Sequence, residues 1–292
     1  MKILPPALKR YFKKFPKLLV FGNFFVDIVF LYDKIKITER RSETFARVAD
    51  RRKFMNYGIQ LYSVKDFMAK DVKSTLAEIG AMGYTVVETA GFFDYSAEDF
   101  KKMCDDAGVK VNSTHTGFSA LDEDYDGIVA YLKTLGCKSF IIPWAPCGTK
   151  AELDDTIDKF NKYQPMLEKE GIELMFHNHA VEWLPNSDGQ IPHVEMQKRT
   201  NIKFQIDVYW AYRGLVNPIY ALESLKDRIS VIHLKDGTME AGKPLGQGTT
   251  PIAEVVKWAK ENGVDMVVEN EPTADRQMIE AKECIDYLMS LE

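Results

Sequence analysis

The residues of this chain best suited to chemistry are its histidines and a scattered set of carboxylates. The densest group lies in Ile172 to Trp183, IELMFHNHAVEW, where a short apolar run ends in His177, Asn178 and His179, with Glu182 three residues on. Elsewhere Glu88, His115, Asp207, His233 with Lys235 and Asp236, and Glu269 with Glu271 each close or follow a similar apolar run. Of the five histidines only His193 falls outside these positions. Any one such residue is as readily a solvated strand end or a core-capping histidine. Together, imidazole and carboxylate donors without a thiolate make up a set suited to Mn, Mg, Co, Zn or Fe(II).

Such donors meet only if the apolar runs bring their ends to one place. The runs are YGIQLY (57–62), YTVVET (84–89), VKVNST (109–114), KSFIIPW (138–144), IELMFH (172–177), KFQIDVY (203–209), ISVIHL (229–234) and DMVVEN (265–270). Each has the length and β-branched or aromatic content of a buried strand. Between them lie helical patterns over 72–82, 97–107, 125–135, 150–170, 218–226 and 251–262, several stopped by Gly83, Gly108, Gly136, Gly171 or Gly263. Eight alternations predict an α/β chain of the closed (β/α)8 TIM barrel class, in which all strand C-termini share one face. The competitor is a doubly wound open sheet; its dinucleotide-binding form is disfavoured because no GxGxxG follows the first strand.

With 292 residues, 46% apolar and 28% charged, the chain can bury a large core without disulfide or metal staples. Its net charge of -5 is uneven: residues 1–54 carry 14 Lys/Arg against 5 Asp/Glu, the remainder 24 against 38. An acidic body argues against nucleic acid as a partner, since phosphate binding needs a basic face. Cys104, Cys137, Cys147 and Cys284 are widely spaced with no CxxC, so reduced thiols and a cytoplasmic location are expected. Residues 1–54 read as an N-terminal extension, with the barrel domain spanning 55–292. The apolar run Leu18 to Tyr32 falls short of the roughly 20 residues of a membrane span, contains Asp27, and is followed by no small-residue cleavage site, so no stable span is expected. A targeting segment within 1–32 or a docked amphipathic helix are the alternatives.

The barrel pattern, with HNHAVEW, QIDVYWA, VIHLKDG, PLGQG and VVENEP in that order, resembles the sugar phosphate isomerase/epimerase family of xylose isomerase-like TIM barrels, the AP endonuclease family 2 superfamily. The resemblance runs from Tyr57 almost to the end. It implies one divalent ion held by Glu182, Asp207, His233 and Glu269, with Glu182 and Glu269 doubling as an acid/base pair. Removal of a proton next to a carbonyl builds negative charge on oxygen, which a cation stabilises, and ligation keeps the carboxylates ionised within reach of the C–H.

His179 is expected as a further acid/base group; Glu88, His115, His177, Trp210 and Lys235 are expected to contact substrate. For His179 and His115 the alternative is that each only orients a ligand; for Glu88, that it caps the rim; for Lys235, that it pairs with Asp236. The sequence departs from the ketohexose 3-epimerases: Trp210 stands where they have a His, and the loop LKDGTMEAGKPLG lacks their Arg. A sugar or polyol derivative other than a free ketohexose is therefore the expected substrate, and a homodimer the expected assembly. Endonuclease chemistry, which needs further metal ligands and a basic DNA groove, does not suit this acidic body. Isomerisation or epimerisation is the leading outcome, elimination by a lyase or dehydratase on the same scaffold the second, and a non-catalytic sugar-binding protein the third.

Overall fold

The structure, a computed structural model, describes residues 57–292. The expected boundary after residue 54, and the readings of residues 1–54, lie outside the described residues. Eight strands form a closed barrel: β1 (Tyr57–Gln60), β2 (Val86–Ala90), β3 (Lys110–His115), β4 (Ser139–Ile142), β5 (Glu173–His177), β6 (Lys203–Asp207), β7 (Val231–Leu234) and β8 (Asp265–Val268). Every neighbouring pair is parallel, and β1 closes the ring on β8 in the register Tyr57↔Met266 to Ile59↔Val268. All eight expected runs are strands. This is the closed barrel and not the open sheet.

The α-helices of six residues or more are α1 (Val72–Met82), α2 (Ala97–Ala107), α3 (Phe118–Leu135), α4 (Lys150–Lys169), α5 (Pro192–Arg199), α6 (Val208–Arg213), α7 (Pro218–Leu225), α8 (Ile252–Asn262) and α9 (Gln277–Ser290). Their starts are written in side chains that accept orphan N–H groups. Asp71 caps α1, Ser96 caps α2, and Thr149 with Glu152 closes a reciprocal capping box on α4. At the C-terminal ends, Gly83, Gly108, Gly136 and Gly263 all adopt positive φ, the left-handed turn that frees a chain to re-enter the barrel.

Two apolar zones fill the molecule. The larger lies between strands and helices; the smaller, Ile141, Met175, Val231 and Val267, lies inside the barrel. Beyond that small plug the strand interiors turn polar: Gln60, Glu88, Ser113, His177, Gln205, Asp207 and His233 are all buried. Burying so many polar groups costs free energy unless each is paired, so this layer marks where folding yields to function. All four cysteines are buried free thiols. Among the described residues no helix is long and apolar enough to cross a membrane.

Candidate metal centre

Ligand atoms of His177, Asp207, His233 and Glu269, all buried, lie within 4.8 Å of one another. Three come from the C-terminal ends of β5, β6 and β7, and Glu269 directly follows β8, so strand parallelism alone brings them together. Asp207 is also the N-cap of α6: its Oδ1 accepts the Trp210 N–H at 2.8 Å while Oδ2 has no partner. Asn178 ties the two strand ends together, its Oδ1 accepting the Asp207 N–H at 3.1 Å and its Nδ2 donating to the Asp207 carbonyl at 3.3 Å.

Glu182 sits on a 3-10 turn, Val181–Trp183, after β5. Its Oε2 accepts the His179 N–H at 2.8 Å, and Oε1 is buried and unpartnered. It is not among the four residues that cluster within 4.8 Å; His177 is. Yet Glu182 Oε1 and Asp207 Oδ2 lack a hydrogen-bond partner, and His233 Nδ1 and Glu269 Oε2 have only each other, 2.6 Å apart. Buried acceptors are rarely left bare. The buried cluster of His177, Asp207, His233 and Glu269, with Asp207 Oδ2 bare, fits a divalent cation with oxygen and imidazole ligands.

Electrostatics separate the carboxylates. Burial pushes Asp207 up to about 7, against the pull of Lys235. Burial also raises Glu182, with only its own backbone N–H and that of His179 working the other way. Burial opposes ionisation of Glu269 too, but Lys235 and His233 overcome it and hold its carboxyl well below the usual range. His233 lies between Glu88 Oε1 and Glu269 Oε2, each 2.6 Å from one ring nitrogen; burial disfavours its charge, but these carboxylates carry its pKa to about 10. His233 Nδ1 and Glu269 Oε2 therefore have only each other as partners, a pair that a cation would replace by taking the place of the Nδ1 proton. His177 and His179 are lowered, first by burial, and are neutral imidazoles at neutral pH.

Residues 76–290 match the family described as xylose isomerase-like TIM barrels. The chain belongs to that family. A sugar phosphate isomerase/epimerase from Parabacteroides distasonis ATCC 8503 shares 28% identity with it, at a TM-score of 0.68, over 80% of this chain and 97% of that one. A second protein so described from the same organism has 22% identity and a TM-score of 0.70, covering 81% and 94%. An inosose dehydratase of Geobacillus kaustophilus (strain HTA426) is 22% identical over 186 residues, 55% of this chain and 60% of that protein. Xylose isomerase-like barrels thus include isomerases, epimerases and dehydratases.

Several expected contacts of this xylose isomerase-like barrel fall elsewhere. Glu88, expected to accept from a sugar hydroxyl or cap the rim, is fully buried, and its oxygens receive Gln60, Ser113, His115, Gln205 and His233. A carboxylate has about four lone-pair sites, so none is left for a substrate. Lys235 does not pair with Asp236: it contacts Glu269 Oε1 at 3.4 Å, binds Glu271, and lies 4.9 Å from the centre of the Trp210 ring. Asp236 instead accepts the backbone N–H groups of Gly237, Gly246, Gly248 and Thr250, which pins the PLGQG loop. That loop therefore aims these N–H groups at Asp236. The expected contacts His179 and Trp210 do lie together, with ring centres 5.4 Å apart. His193 is on α5, stacked on Trp183 at 3.7 Å and away from the cluster.

Gln60, Ser113 and Gln205 escaped the sequence reading. The signal was present: strand side chains alternate faces, so an inward Asp207 requires an inward Gln205 two residues before it.

Proposed function

We propose that the protein is a divalent-metal-dependent sugar isomerase or epimerase that removes a proton from the carbon next to a carbonyl of a sugar or polyol derivative. The observation that carries this reading is the buried cluster of His177, Asp207, His233 and Glu269, in which Asp207 Oδ2 has no hydrogen-bond partner, together with the buried, unpartnered Glu182 Oε1 on the turn that follows β5. Asp207, His233, Glu269 and His177 would hold the ion, with Glu182 Oε1 as a further donor. Bound there, a divalent cation supplies electrostatic stabilisation to a substrate oxygen that gains negative charge.

The remaining work belongs to the chain. Glu182 is the proton acceptor: one oxygen is fixed by the His179 N–H, the other is free, and burial makes it more basic than an exposed carboxylate. Glu269 is kept ionised by Lys235 and faces the same cluster, so it serves as the second member of the acid/base pair. His179 is neutral, with a bare Nδ1 that can exchange a proton with a substrate oxygen. Trp210 offers an aromatic face and a bare indole N–H beside it.

Elimination is the second reading, favoured by the likeness to inosose dehydratase and by a neutral His179 whose bare Nδ1 can exchange a proton with a leaving oxygen. The two differ only in whether carbon or oxygen is protonated next. Incubation of the metal-loaded protein with ketoses, inososes and 3-keto-glycosides in D2O, read by mass spectrometry, separates them. Deuterium in an isomer of unchanged composition establishes the first. A product lighter by water or by an aglycone establishes the second, and no exchange with any of them sinks both.

A further inference from the structure

The most heavily coordinated carboxylate of the described chain touches no candidate substrate position. Glu88, on β2, points into the barrel with no exposed surface. Its Oε1 receives Gln60 Nε2 at 2.7 Å, His233 Nε2 at 2.6 Å and His115 Nε2 at 3.0 Å; its Oε2 receives Ser113 Oγ at 2.5 Å and Gln205 Nε2 at 2.7 Å. Four donors converge on a group that only accepts, and His115 Nε2 shares its one proton between that group and Gln205 Oε1.

That polarity propagates. Because Gln205 must give its N–H to Glu88, its Oε1 faces the other way, 2.6 Å from His115 Nε2 and 3.2 Å from His177 Nδ1. His177 therefore carries its proton on Nδ1 and presents Nε2 bare. His233 gives its Nε2 proton to Glu88, which leaves Nδ1 as the nitrogen facing Glu269 Oε2 at 2.6 Å and Asp207 Oδ2 at 4.0 Å. A histidine binds metal through the nitrogen that lacks a proton, so whatever accepts from the other nitrogen selects the ligand atom.

We propose that Glu88 is a positioning residue for the metal centre: directly on His233, and through Gln205 on His177, it fixes which ring nitrogen of each histidine is offered to the ion. This rests on the metal-centre reading above. It assigns Glu88 a role in metal affinity and none in contact with substrate. It also explains why a carboxylate is retained so deep in the barrel: an amide there would have to donate on one side. With Gln at position 88, its NH2 would oppose either Gln205, turning that amide over and costing His177 its acceptor, or Gln60 and His233, costing His233 its acceptor.

The test uses the full chain. Mn2+ affinity, measured by competition with a chelating dye, is compared for the parent, Glu88→Gln and Ser113→Ala. Ser113 also donates to Glu88 but orders no histidine. The expected result is at least about tenfold weaker binding for Glu88→Gln, the loss typical of removing a partner behind a ligand, with Ser113→Ala within about threefold of the parent. In parallel, 15N-histidine NMR of the Zn2+-loaded parent should show His233 ligated through Nδ1 and protonated on Nε2, and His177 ligated through Nε2 and protonated on Nδ1. This readout needs no variant to fold. Reversed nitrogens, unchanged affinity in Glu88→Gln, or an equal loss in Ser113→Ala overturns the inference while the metal centre stands. A parent chain that binds no divalent ion overturns the metal centre itself, and this inference with it.

Discussion

Glu182 and His179 are joined by one hydrogen bond, from the His179 backbone N–H to Glu182 Oε2 at 2.8 Å, and it leaves Oε1 buried without a partner. The bond uses the tight 3-10 turn to aim the carboxylate. Glu182→Gln keeps the shape and that bond while removing the base. Turnover of the active substrate should fall by about 10²–10⁴, the contribution of a positioned general base. Burial already disfavours the charge of Glu182, so the melting temperature should hold or rise. Parent-like turnover in this variant would remove Glu182 from the reaction.

Asp236 should be a stability residue. Four backbone N–H groups end on its carboxylate, and the loop approaches so closely that a Cβ on Gly248 would lie 2.3 Å from Asp236 Oδ1 and 2.4 Å from the Gly237 nitrogen. Asp236→Ala strands those donors and should cost about 3 kcal/mol or more in urea unfolding. Gly248→Ala should also destabilise, because the contacts it would make are backbone and a fixed carboxylate. Unchanged midpoints in both would mean that the loop is not anchored this way.

How far the sequence could be read follows from what each signal reports. Apolar runs of strand length gave the eight strands because a barrel buries both faces of each, and Gly at positive φ marked helix ends such as Gly83 and Gly263. Helices α5 and α6 were harder. At eight and six residues they are too short for a helical period, although Pro192 at the first turn of α5 was a usable start signal. In the site, polar residues at strand ends exposed Asp207, His233 and Glu269. Glu88 was seen but misplaced, because a strand pattern gives no depth along the barrel axis. His177, the last residue of β5, reaches the cluster by strand geometry, whereas the position of Glu182 depends on how far the turn after that strand swings, which no spacing rule contains.

His193 sets an acid limit on stability. Stacked between Trp183 and Phe204 and fully buried, it is pushed down to about 3, by burial first and by the Arg228 charge second. The unfolded chain has the ordinary value near 6.5. Below that pH the unfolded state takes up a proton that the folded state refuses, so this group's contribution is complete above about pH 6.5 and falls by about 1.4 kcal/mol per unit until the folded value is reached. Between pH 7 and pH 5 the parent should therefore lose about 2 kcal/mol more than His193→Phe in urea unfolding. Equal losses would show that the ring accepts its proton in place.

The metal centre itself is the claim on which the functional reading turns. Equilibrium dialysis of the full chain against Mn2+, with bound metal counted by elemental mass spectrometry, tests it beside Asp207→Ala and His233→Ala. The parent should retain about one ion per chain, and each variant far less while keeping the parent's circular dichroism spectrum. A parent that retains no ion, or variants that retain as much as it does, would contradict the account.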